Sequence, residues 1–212
     1  MKKVLMSMRI TEAINYKEYR NSISYEYISF FEELGYMIIL IPNNSKNVES
    51  YFDADVVMVV LTGGNNVDPK LYNSKDKLDD VYIDRDDTER ELLNLSLKNN
   101  IKVFGICRGF HFINVYFGGS LSHNIKNHVN QDHILLSKND LLKNKQTNSF
   151  HNQAIKKENL PDSVDILATS EDDFVEAVIN KEKTILGVQW HPERQEKEFD
   201  KELIKKFIKG KI

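Results

Sequence analysis

The run Val56–Leu61, VVMVVL, places six apolar residues in succession with no alternation of polar and apolar positions. A strand with one wet face alternates, whereas a strand buried on both faces reads as a continuous apolar run. Such a strand needs a layer of structure on each side. The run ends at Thr62-Gly63-Gly64, where two glycines let the backbone approach a ligand closely.

Other segments fit around it. Val4–Met8, Met37–Ile41 (ended by Pro42) and Lys102–Ile106 are further strand-like runs. Between them, Tyr19–Leu34 carries Ile23, Tyr27, Phe30, Phe31 and Leu34 at helical spacing, with Gly35 as a stop. Asp86–Asn99 predicts a second helix with acidic residues in its first turn, and Gly109–Phe117 a third. This alternation predicts an α/β fold with a mostly parallel sheet and right-handed crossovers. Later in the chain, Asp165–Ala168, Phe174–Ile179 and Thr184–Gln189 predict strands, the last two as a hairpin and so a small antiparallel extension. Ser120–Asn148 is polar and predicts loops, with one short strand at Ile134–Leu136. A final amphipathic helix is expected from about Lys197 to Lys209. Residues 1–212 are read as a single domain, with no repeat and no low-complexity linker.

Composition narrows the function classes. Twenty-nine basic against 32 acidic residues give a net charge of −3, which does not suggest a nucleic acid polymer or a membrane surface as partner. One cysteine cannot form an internal disulfide and excludes a cysteine-rich metal site. A reducing cytoplasm is the expected compartment. The basic, briefly apolar N-terminus is read as a first buried strand, because a signal peptide needs a longer apolar region and a small-residue cleavage site.

The single cysteine, Cys107, stands between Gly105 and Gly109, after a strand and before a helix. Gly-x-Cys-x-Gly in that context has the form of a nucleophile elbow, a strained turn that lifts the side chain above the carboxyl edge of the sheet. The following helix points its N-terminus at the sulfur and favours thiolate. The Arg108 amide is then available to an oxyanion. A lone cysteine is also commonly a buried structural residue, but the two glycines favour the nucleophile.

A thiol nucleophile needs a base, and the base an orienting acid. His191 lies in GVQWHPER just after a predicted strand, and Glu193 follows two residues later on the same side of an extended backbone. Pro192 holds His191 extended. A strand-end histidine beside a surface glutamate is the plainer alternative. His111 is nearest in sequence to Cys107 but has no evident orienting acid. His123, His128 and His133 lie in the polar region at spacings of five, which match no metal motif. No metal and no cofactor are therefore expected.

Four segments together resemble class I glutamine amidotransferases, and within them the γ-glutamyl hydrolase branch of cysteine peptidases. They are LTGGNNVDPKLY (61–72), RDDTERELLNLSLKNNIKVFGICRGFHFINVYFGGSL (85–121), NSFHNQAI (148–155) and GVQWHPE (187–193). The resemblance implies a three-layer α/β sandwich and a triad of Cys107 as nucleophile, His191 as base and acid, and Glu193 as orienter. It implies an oxyanion hole from the backbone of Arg108 and the Gly63-Gly64 turn, particularly Gly64. It also implies a small-molecule γ-glutamyl substrate held near Ser149, Phe150 and His151 and by the elbow helix. The family usually has Gln where this chain has His111, and His-His-Gln where it has His151-Asn152-Gln153. His111 is therefore expected to mark a variant leaving-group specificity. Lys70, Arg9 and Arg108 are candidates to meet an anionic leaving group, and each could equally be a surface or structural cation. The expected chemistry is hydrolysis through a γ-glutamyl thioester. The family's other use, delivery of ammonia to a synthetase, would need a partner synthetase chain. The sequence leaves homo-oligomerisation open. The stretch 122–147 is expected to be mobile or to set specificity.

Overall fold

A computed structural model describes residues 1–195 and 197–212. In chain order the elements are β1 (Lys3–Ser7), β2 (Arg9–Glu12), β3 (Tyr19–Ser22), α1 (Tyr25–Glu33), β4 (Met37–Ile41), β5 (Val56–Leu61) and α2 (Ile83–Lys98). There follow β6 (Lys102–Ile106), α3 (Arg108–Tyr116), β7 (Ser122–His123), β8 (Val129–Ile134), β9 (Gln146–Phe150) and β10 (Gln153–Lys156). The chain closes with β11 (Val164–Thr169), β12 (Phe174–Asn180), β13 (Ile185–Val188) and α4 (Glu198–Ile208).

The main sheet runs β4-β1-β5-β6-β13-β12-β10-β7, with β11 also paired to β12. From β4 to β13 every pairing is parallel. From β13 onward the pairings are antiparallel. This is the mostly parallel sheet with an antiparallel extension that the sequence predicts, and β12–β13 is the expected hairpin. Helices cover both faces. On one side Leu92, Leu93 and Leu95 of α2 and Phe112, Ile113 and Val115 of α3 pack over Leu5, Val59 and Val103. On the other, Tyr27, Phe30 and Phe31 of α1 and Leu203, Ile204 and Phe207 of α4 pack over Val4, Met58 and Phe104. The alternate residues of β5 thus enter opposite cores, which explains why its run is apolar throughout. No helix among the described residues is long and apolar enough to cross a membrane.

Two expectations are corrected. Helix α1 starts at Tyr25, not Tyr19, because Tyr19–Ser22 pairs antiparallel with β2 as a hairpin. Tyr19 continues the helical spacing of Ile23 and Tyr27, so the stripe does not mark the boundary, but Ser24 is extended at the helix start. The polar region is not a loop around one short strand at Ile134–Leu136. It holds β8, paired antiparallel with β9. Four of the six β8 residues are exposed, so the strand lacks the apolar alternation that reveals strands in sequence.

Candidate active site

The parallel strands place their carboxyl ends along one edge, where a cavity of about 240 Å³ opens. Cys107 lies at this edge, between β6 and α3, with φ 51° and ψ −105°. That conformation is costly for a residue with a Cβ and persists only when its surroundings enforce it. They do so here. The Cys107 amide donates to Val188 O at 2.8 Å, and its carbonyl accepts from the His111 amide at 3.0 Å. A side chain at Gly109 would collide with the backbone of Leu61, and one at Gly105 with Ile113 and Gly109. The glycines let α3 pack directly against β5 and β6.

His191 and Glu193 flank Pro192 at the end of β13. His191 Nδ1 is 2.6 Å from Glu193 Oε1, and both side chains are buried. His191 Cε1 and Cys107 Cβ both lie against Gly63, within 2.8 and 3.6 Å of where a Cβ would stand. Burial by itself would lower the His191 pKa. The Cys107 sulfur, by charge and hydrogen bonding, and the Glu193 carboxylate override it and raise the imidazole to about 9. The protonated ring is therefore the resting form at neutral pH. Asn148 fixes the backbone beneath it, donating to His191 O at 2.8 Å and accepting from His191 N at 2.9 Å.

The Thr62-Gly63-Gly64 turn is shaped by a buried cation. Arg85 of α2 donates to Thr62 O at 2.7 Å, to Gly63 O at 3.1 Å and to Gly64 O. Burial first, and then the charge of Arg108, pull Arg85 down to about 10, so it remains charged at neutral pH. In a trans peptide the N–H points opposite to the C=O. By holding Gly63 O, Arg85 turns the Gly64 amide the other way. That amide has no acceptor among the described residues, and Gly64, at φ +80°, lines the cavity. The Gly63 amide is already engaged, donating to Tyr27 Oη at 2.9 Å. The Arg108 amide opens α3 and has no intrahelical acceptor.

The other expected residues divide. Phe150 stands at the cavity rim, edge-on to His191 and beneath the Arg194 guanidinium at 4.4 Å. Arg9 also lines the cavity. Of the alternatives left open for Arg108 and Lys70, the plainer one fits, and the expected role of Ser149 is corrected. The Arg108 side chain is committed to Glu89 and Asp86 in a buried ion-pair network and is a structural cation. Lys70 lies outside the cavity lining. Ser149 is fully buried and its hydroxyl donates to His128 O at 2.6 Å, away from the cavity. His151 lines the cavity, but its Nδ1 bonds to Gln153 O at 2.8 Å.

His111 is buried and faces Gln189, with Nε2 at 2.8 Å from Gln189 Oε1. Gln189 Nε2 in turn donates to Cys107 Sγ at 3.8 Å. Burial, aided by the Arg108 charge, lowers His111 to about 4. It is a neutral donor at pH 7, not a source of positive charge. Tyr27, Arg85, Asn148 and Gln189 are site residues that sequence reasoning does not single out. Arg85, Asn148 and Gln189 lie within the segments that carry the family resemblance, but nothing in those segments marks their roles.

Comparison with known proteins places the chain in a family. The model of the peptidase C26 family matches residues 4–193. YvdE of Lactococcus lactis subsp. lactis, a candidate glutamine amidotransferase-like protein, is 34% identical over 91% of this chain and 91% of its own length. The γ-glutamyl-CDP-amidate hydrolase of Campylobacter jejuni is 32% identical over 69% of this chain and 66% of its own. A solved structure of a candidate GMP synthase component from Thermoplasma acidophilum superposes with a TM-score of 0.69, covering 99% of this chain and 94% of its own, at 19% identity. That likeness shows the shared fold.

Proposed function

From the premise that this chain belongs to the peptidase C26 family of glutamine amidotransferase-like hydrolases, we propose that it cleaves a γ-glutamyl amide and releases L-glutamate, with Cys107 as nucleophile. One observation carries the reading. The strained elbow cysteine and His191, itself bonded to Glu193 at 2.6 Å, face one cavity.

The Cys107 thiolate attacks the γ-carbonyl carbon, and the carbonyl π electrons move to oxygen. The amides of Gly64 and Arg108 stabilise that oxyanion. Protonated His191 gives its proton to the leaving nitrogen as the C–N bond breaks, and a γ-glutamyl thioester remains on Cys107. Neutral His191 then takes a proton from water, and the resulting hydroxide attacks the thioester. Glutamate departs, and the thiolate–imidazolium pair is restored. Glu193 keeps the imidazole oriented and favours its charged form. Gln189, held by His111, donates to the sulfur. No step requires a metal or organic cofactor.

Arg9 and Arg194 at the cavity favour an anionic leaving group. Together with the 32% identical relative, they support γ-glutamyl-CDP-amidate as substrate, giving cytidine diphosphoramidate for capsule modification. A γ-glutamyl-GABA or γ-glutamyl-peptide hydrolase uses the same chemistry with a different leaving group.

The test is glutamate release by purified protein from glutamine, γ-glutamyl-GABA, γ-glutamyl peptides and γ-glutamyl-CDP-amidate, with Cys107→Ala as control. Release from γ-glutamyl-CDP-amidate by the protein alone, lost in the control, supports the proposal. Release from another amide reassigns the leaving group. Glutaminase activity only when a synthetase is added would replace the free-standing hydrolase with a glutaminase that feeds ammonia to a partner.

A further inference from the structure

Beside the cavity, with His151 in its wall, lies a cluster that the hydrolysis does not use. His128 precedes β8, His133 is within it, His151 follows β9 and Glu176 is on β12. One ligand atom from each lies within 4.8 Å of all the others. His128, His151 and Glu176 are each at least 96% buried, with relative exposures of 1%, 4% and 0%. His128 Nδ1, His133 Nε2, His151 Nε2 and both Glu176 oxygens have no hydrogen-bond partner among the described residues. Buried polar atoms are seldom left so, and five of them here converge on one point.

The unused nitrogens are the ones a cation would take. His128 Nε2 bonds to Asp172 Oδ2 at 2.8 Å, and His151 Nδ1 bonds to Gln153 O at 2.8 Å. When the engaged nitrogen donates to its oxygen partner, the inward nitrogen is the one left to offer a lone pair to a cation. A carboxylate or carbonyl behind each imidazole is the usual outer partner of a metal-ligating histidine. A hydrogen-bonded alternative fits poorly. A protonated Glu176 would need an acceptor, yet His151 Nε2 is 3.9 Å away, beyond a hydrogen bond.

We propose that His128, His133, His151 and Glu176 form a binding site for a divalent transition metal, zinc by donor set. Three imidazoles and one carboxylate suit zinc, whose four bonds of about 2.0–2.2 Å set its donors about 3.5 Å apart, a modest contraction of the cluster. Four protein ligands close the coordination sphere, which marks a structural ion. The ion ties the β8–β9 hairpin to β12 in the main sheet. That hairpin carries Asn148, which holds His191, and Phe150 at the rim. The site thus steadies the catalytic histidine from outside the reaction path.

The test uses the full chain carrying Cys107→Ala, so that the thiol cannot bind the probe. The protein is stripped with a chelator and titrated with Co²⁺. The expected result is one equivalent bound with the intense visible bands of four-coordinate cobalt, displaced by Zn²⁺, and a rise in Tm. Asp172→Asn, a half-exposed change outside the ligand set, weakens the affinity by about 10–100-fold. His133→Asn and Glu176→Gln abolish the bands, with circular dichroism reporting whether each is folded. Absence of tight Co²⁺ binding in the parent overturns the proposal. So does binding that survives unchanged in folded Asp172→Asn and His133→Asn. Neither result bears on whether Cys107 is the nucleophile.

Discussion

Asn148 grips the backbone of His191 on both polar groups, its amide nitrogen donating to the carbonyl at 2.8 Å and its oxygen accepting the N–H at 2.9 Å. A side-chain amide in β9 thereby reproduces a strand pairing at the point where β13 has ended. Asn148→Leu leaves both buried groups unpaired, at a cost of about 1–3 kcal/mol. A lower Tm is expected, with kcat reduced more than KM is raised, because the imidazole loses its fixed position. Steady-state kinetics on a γ-glutamyl substrate check this, and an unchanged kcat would contradict it.

Gly63 lies against both His191 and Cys107. A Cβ there would stand 2.8 Å from His191 Cε1 and 3.0 Å from Tyr27 Oη. Gly63→Ala is expected to displace the imidazole and cost about 10²-fold in kcat, with the protein still folded. Tm and kcat measured side by side distinguish this from a folding defect.

The pH dependence of activity follows from His191. Its pKa is raised from 6.5 to about 9. The imidazolium therefore persists through neutral pH, and kcat/KM is expected to fall as pH rises through about 9. A raised pKa also means that this group's contribution to stability is fully present below 6.5 and is lost as pH climbs through 9. Glu193→Gln removes one of the interactions that raise it, so the alkaline limb moves to lower pH. A profile whose alkaline limb is the same in both proteins would argue against the pairing.

His111 acts in the opposite sense. Burial lowers it from 6.5 to about 4. Its contribution to stability is full above 6.5 and is lost as pH falls towards 4, because the unfolded chain takes up the proton first. Tm between pH 7 and 4 is expected to drop less steeply in His111→Gln than in the parent. The same variant tests specificity. If its ranking of γ-glutamyl amides matches the parent's, His111 serves Gln189 alone and does not select the leaving group.

Much of this was legible in the sequence for definite reasons. The run 56–61 announces a doubly covered strand, since β5 feeds alternate side chains into two cores. Gly105, Cys107 and Gly109 mark the elbow, because only glycine tolerates the contacts with Leu61 and Ile113. His191 and Glu193 are two residues apart, so their pairing is local. What stayed hidden depends on long-range assembly. Arg85 stands just before the predicted helix 86–99, and its role shows only where it meets three carbonyls of the 62–64 turn. The four residues of the histidine–glutamate cluster come from positions 128, 133, 151 and 176, and strand pairing alone unites them. Strand β8 escapes a pattern search because its side chains are polar and mostly exposed.

The central claim is that Cys107 carries the γ-glutamyl group. Intact-protein mass spectrometry after rapid acid quench of a turnover mixture tests it most directly. The account predicts an adduct of one γ-glutamyl group, located by peptide mapping to Cys107 and discharged by hydroxylamine. Undiminished glutamate release by Cys107→Ala, with no adduct on the parent protein, would contradict it.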